Sequence, residues 1–175
     1  MKSLLSSLVL LVSITLFAAF PVIIHAQDTA VTLAIPSLNL SAPVSEIAAQ
    51  TLSDGTTVWG TQNLGMQIGH LQGTAWLDAP GNMVIAGHSE LAKRKHGTFY
   101  TLDQMQINDT LTLTYGTETR QYVVMEIYSV DASDASSLYP TDHERMTLIT
   151  CDISSYNAAT GVYSKRIIVV AQRAG

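Results

Sequence analysis

The sequence predicts an all-β fold, either a sandwich or a closed barrel, on three observations. Short apolar runs rich in Val, Ile, Tyr and Thr recur along the chain, turn signals separate them, and helical periodicity is scarce. With 47% hydrophobic and 13% charged residues and no long polar tract, the 175 residues supply one packed domain rather than a disordered segment.

Taken in order, residues 1–26 place a single lysine before a long apolar run and read as a targeting segment. The small residue Ala26 suits cleavage by a signal peptidase. The run from Leu4 to Ile24, apolar on every face, approaches the ~20 residues of a membrane-spanning helix. A cleaved leader and an uncleaved N-terminal hydrophobic helix therefore both fit. Residues 27–30 form a short polar joint, and residues 31–175 form the globular domain.

The stretch "VTLAIPSLNLSAPV" predicts two brief strands broken by Pro36 and ended by Pro43. A helical turn is expected over "SEIAAQ", and "SDGTTVWG" carries an Asp-Gly turn signal before a strand. "GNMVIAGH", apolar and opened by glycine, reads as a buried strand ending at His88. A short helix or turn over "GTFYTLDQMQIND" leads into strands at "TLTLTYG" and "TRQYVVMEIYSV", the latter ending at the loop "DASDASS". "MTLITC" and "KRIIVVAQR", joined by the loop "DISSYNAATGVYS", supply the final strands.

Charge excludes one class of partner. The formal net charge is -5, and removing residues 1–26 deletes only Lys2, which takes -5 to -6. A nucleic-acid binder usually presents a basic face, and this chain has an acidic excess. The acids Glu90, Asp131, Asp134, Asp142 and Glu144 are dispersed along the sequence and read as a solvated face; no metal site is expected.

The chain contains one cysteine, Cys151, at the end of "MTLITC". In an oxidising compartment cysteines usually pair, so a lone thiol behind an export signal needs another explanation. A buried small hydrophobe, an intermolecular disulfide and a nucleophile all satisfy the residue alone. Its place at a strand's mouth, between a threonine and an aspartate, favours chemistry. A free thiol ionises near pH ~8.5 and free imidazole near ~6.5, so a useful thiolate calls for a base and a nearby cation.

His88, at the end of a buried strand, is the strongest candidate base. His70 comes next, and His96 and His143 read as loop residues. Arg166, opening the last strand, is the candidate cation, with Lys165 beside it and Arg173 far along the same strand. Arginine stays charged at any working pH and presents paired donors that suit a carbonyl or an oxyanion. Alternation puts Thr147, Ile149 and Cys151 on one face of their strand; whether Arg166 shares it depends on register.

These motifs together resemble a known family. "TLITC" resembles the T-L-x-T-C signature of sortases, the bacterial cell-surface cysteine transpeptidases; "PGNMVIAGH" resembles their strand ending in the catalytic histidine; "KRIIVVAQR" resembles their final strand with its essential arginine. The resemblance runs from about Leu33 to Arg173. It implies a closed eight-stranded sortase-type barrel with one or two short helices, preceded by the N-terminal hydrophobic helix. It also implies Cys151 as nucleophile, His88 as catalytic histidine and Arg166 as the arginine, with Thr150 and Ser89 as substrate contacts and no cofactor.

The implied reaction cleaves a sorting motif near the C-terminus of a secreted protein, through a thioacyl-enzyme. An amine on a cell-wall precursor or a pilin then takes the acyl group. Arg166, helped by backbone N–H groups near the cysteine, would steady the oxyanion. A hydrolytic peptidase on the same fold and a non-catalytic secreted β-barrel binding module are the competing expectations.

Overall fold

The computed structural model describes residues 30–175, so the expected leader or anchor lies outside the described residues. Eight strands close into a barrel: β1 (Val31–Ile35), β2 (Leu40–Ile47), β3 (Ile68–Leu71), β4 (Asn82–Gly87), β5 (Thr110–Tyr115), β6 (Glu118–Asp131), β7 (Arg145–Cys151) and β8 (Lys165–Arg173). Around the barrel the order is β1–β2–β3–β4–β7–β8–β6–β5, with β5 returning to β1. Pairing is antiparallel except for β2 with β3 and β4 with β7, which run parallel. Closure removes the free edges an open sheet would expose.

Local corrections follow from packing. The predicted helical turn over "SEIAAQ" is extended: β2 runs to Ile47, and Ala49–Thr51 pairs with Thr57–Trp59 in a small ribbon. Pro43 does not end β2; pairing with β3 starts only at Val44, so the proline sits where one flank of the strand is unpaired. The segment over "GTFYTLDQMQIND" folds as a single 3₁₀ turn, Leu102–Gln104, and among the described residues all helical structure is 3₁₀. The last loop contains a further ribbon, Tyr156–Asn157 with Val162–Tyr163.

The barrel wall separates two apolar layers. Inward residues of alternating strand positions, among them Leu33, Ile85, Leu113, Leu148 and Val169, fill the interior, and Phe99 and Leu102 from the segment between β4 and β5 pack against them. A smaller layer lies on the outside of β3, β4 and β7, where Leu71, Val84, Ala86 and Ile149 meet Trp59, Leu64 and Leu138. That outer layer floors the candidate site.

Candidate active site

Three adjacent strands carry the three predicted residues side by side. β4 and β7 pair in parallel from Asn82–Arg145 to Ala86–Ile149, and two positions beyond that pair stand His88, just past the end of β4, and Cys151, the last residue of β7. β7 and β8 pair antiparallel, with Cys151 directly opposite Arg166. Ala86 and Ile149 belong to the outer layer, so a period of two puts His88 and Cys151 on the same outer face. Ile167 points to the interior layer, which turns Arg166 outward as well. The register left open by the sequence therefore places Arg166 on the cysteine's face.

All three residues line one groove of about 560 Å³ on the outside of the barrel. Its floor is apolar, with Leu71, Ala86 and Ile149. Its walls are Thr57–Trp59 on one side and the loop Ala132–Ala135 with Leu138 on the other. Trp59 is fixed there by its indole N–H, which donates to Gln72 O at 3.0 Å. A second hollow of about 220 Å³ opens on the other side of Cys151, beside Tyr100, Asp103 and Ser154.

His88 is held from both its backbone and its ring. Its carbonyl accepts from Phe99 N at 3.0 Å, and the neighbouring Ser89 carbonyl accepts from Gly97 N at 2.8 Å. Position 97 must be glycine because a Cβ there would run into the His88 carbonyl. Nε2 of His88 lies 2.9 Å from Thr61 O. A carbonyl can only accept, so Nε2 carries the hydrogen and the neutral ring keeps its lone pair on Nδ1.

Cys151 is partly buried and unpaired. Burial pushes its thiol above the ordinary value, and the charge of Arg166 pulls against that rise. The resting sulfur is therefore a thiol at neutral pH. The Arg166 guanidinium is aimed by two hydrogen bonds, Nη1 to Tyr163 O at 3.1 Å and to Lys165 O at 3.0 Å. No carboxylate pairs with it among the described residues, and these bonds leave Nε and Nη2 without protein partners there. The backbone amides of Asp152, Ser154 and Ser155 already donate within the protein.

Of the two expected substrate contacts, Thr150 lines the groove and Ser89 does not. Thr150 is 5% exposed, and its hydroxyl donates to Gly87 O at 2.8 Å, tying the end of β7 to the end of β4. Its side chain is already used in holding the cysteine's strand beside the histidine's. Ser89 is 2% exposed with an unpartnered hydroxyl, and it is absent from the groove wall.

The other histidines lie elsewhere. His70 is buried against Trp76, with Nε2 at 3.0 Å from both Ala75 O and Thr74 Oγ1, and burial lowers its pKa. His96 stacks on Tyr100, and His143 contacts Asp142 at the surface. Glu90 and Glu144 are not solvated acids: each carboxylate is partly buried and paired with arginine and tyrosine. Among the described residues no group of three or more His, Cys, Asp or Glu is placed to hold a metal ion.

A family profile described as the sortase domain matches residues 33–174. The chain belongs to the sortase family. It is 36% identical over 92 residues to Sortase A of Staphylococcus aureus, covering 51% of this chain and 43% of that protein. To Sortase D of Bacillus subtilis it is 31% identical over 143 residues, 81% of this chain and 62% of the relative. The chain thus spans less than two thirds of either curated relative. Among solved structures it resembles a Clostridium perfringens Sortase D5 transpeptidase, with a TM-score of 0.63 and 26% identity over 85% of this chain and 80% of that one.

Proposed function

We propose that this sortase is a cysteine transpeptidase with Cys151 as nucleophile, His88 as acid–base and Arg166 as oxyanion and peptide holder. The supporting observation is the row His88–Cys151–Arg166 across β4, β7 and β8, all three on the wall of one groove. An extended peptide lies along the apolar floor with its scissile carbonyl at the sulfur. The Cys151 proton passes to Nδ1 of His88, and sulfur bonds to the carbonyl carbon. Nε and Nη2 of Arg166 donate to the developing oxyanion.

Collapse expels the downstream amine, which takes the proton from His88 and leaves a thioacyl-enzyme. An acceptor amine then attacks, gives its proton to His88, and releases sulfur, which recovers the proton. By this reading the substrates are secreted proteins with a sorting motif, and the acceptor is an amine on a cell-wall precursor or a pilin. The N-terminal segment holds the barrel at the outer face of the membrane, or is removed to release it.

Product analysis of the full chain with sorting-motif peptides, with and without an added amine, tests this reading. An amide product that forms only with amine supports it. Water-only products at every amine concentration would replace it with hydrolysis.

A further inference from the structure

A second cluster links the segment that follows His88 to the segment that precedes Arg166. Glu90 stands two positions after the histidine, and its carboxylate is only 6% exposed. It accepts the Tyr163 hydroxyl at 2.6 Å and pairs with Arg94 at 3.3 Å. Arg94 lies over the Tyr156 ring at 4.8 Å, and the Tyr156 and Tyr163 rings meet at 4.9 Å, on paired strand positions. The turn that delivers Arg94 holds both Lys93 and Arg94 at positive φ, 60° and 55°. Non-glycine residues adopt that conformation at a cost, which the contacts of Arg94 offset here.

Tyr163 is also the residue whose carbonyl holds Nη1 of Arg166. The contacts therefore run without a break from Arg94 through Glu90 and the Tyr163 side chain to the Tyr163 backbone and the guanidinium. The ribbon they hold, Tyr156–Asn157 with Val162–Tyr163, has four residues and is too short to fix its own position.

We propose that Glu90 and Tyr163 are positioning residues that clamp the loop before β8 onto the strand end after β4, so that Arg166 faces Cys151. This rests on the role given to Arg166, but its test reads the thiol directly and needs no peptide. Around the sulfur the charged and titratable groups among the described residues are His88, Tyr100, Asp103, Asp134, Asp152, Tyr163 and Arg166. Of these Arg166 is the cation, and its displacement disfavours the thiolate.

The experiment is alkylation of Cys151 by iodoacetamide in the full chain across a pH series, with melting temperature measured alongside. Tyr163→Phe, which removes one hydrogen bond and no charge, should raise the alkylation midpoint by about half a pH unit, a roughly threefold slower reaction at pH 7. Arg166→Ala should raise it too, and the double variant should go no further than Arg166→Ala alone. Glu90→Ala and Glu90→Gln change the charge equally, but only glutamine keeps an acceptor for the hydroxyl. The alanine midpoint should therefore lie above the glutamine midpoint, which keeps the test available if Tyr163→Phe does not fold. An unchanged or lowered midpoint in folded Tyr163→Phe, additivity with Arg166→Ala, or identical Glu90 variants would overturn the proposal.

Discussion

β8 carries an arginine at each end, and the two have opposite surroundings. Arg173 pairs with Glu144 at 3.1 Å and lies over the Tyr122 ring. Glu144 also takes Arg120 at 3.3 Å and the Tyr122 hydroxyl at 2.6 Å, so that end of the barrel is fully paired. Among the described residues Arg166 has only carbonyl partners, and it borders a groove. An odd number of positions separates them, so the strand turns one toward the interior side and the other outward. One end of the same strand is held by ion pairs, while the other keeps, among the described residues, a guanidinium with no carboxylate partner beside a thiol.

That contrast predicts opposite consequences for variants at the two ends. At the groove, Cys151→Ala should abolish turnover, and His88→Ala should lower it about 100-fold to 10,000-fold, as loss of a general acid–base does. Arg166→Ala should cost about 100-fold to 1,000-fold. None of the three should shift melting by more than an exposed substitution does, a pattern that peptide turnover with calorimetry would check. Equal losses of stability at both ends would break the comparison.

At the paired end, Glu144→Gln should cost about 2 kcal/mol of stability, the range for hydrogen bonds to charged groups, with turnover retained. Chemical denaturation measures it. Acid should sharpen the contrast. Burial pushes the Glu144 carboxyl up, but the Tyr122 hydroxyl and the two guanidiniums outweigh it and hold the group below its ordinary value. Its contribution is complete above about pH 4.3, the unfolded value, and disappears as pH falls through the lower native one. The gap between wild type and Glu144→Gln should therefore close below about pH 4. The smallest effect should be Tyr122→Phe, about 1.5 kcal/mol, the low end for a single hydrogen bond to a charged group.

The sequence carried the strands that hold the site because each is an apolar, β-prone run bounded by its functional residue: "NMVIAG" before His88, "MTLIT" before Cys151, and "RIIVV" starting at Arg166. Register was not legible, because pairing between distant strands is fixed by tertiary packing. β3 passed unnoticed since "IGHL" is four residues long, includes glycine and histidine, and is buried on both faces, leaving no alternation to read. The ribbon residues Ala49–Thr51 form a groove-side hairpin through pairing with Thr57–Trp59, where local preference pointed to a helical turn. Ser89 looked like a substrate contact from its place after the histidine, yet it lies in the bend past β4, buried and off the groove wall.

Mass spectrometry of the full chain incubated with a panel of sorting-motif peptides, followed by peptide mapping, tests the shared outer face most directly. The account predicts an acyl adduct on Cys151 that is strongly diminished in folded Arg166→Ala and absent in Cys151→Ala. An adduct mapped to another residue, or one formed at full rate without the Arg166 guanidinium, would contradict it.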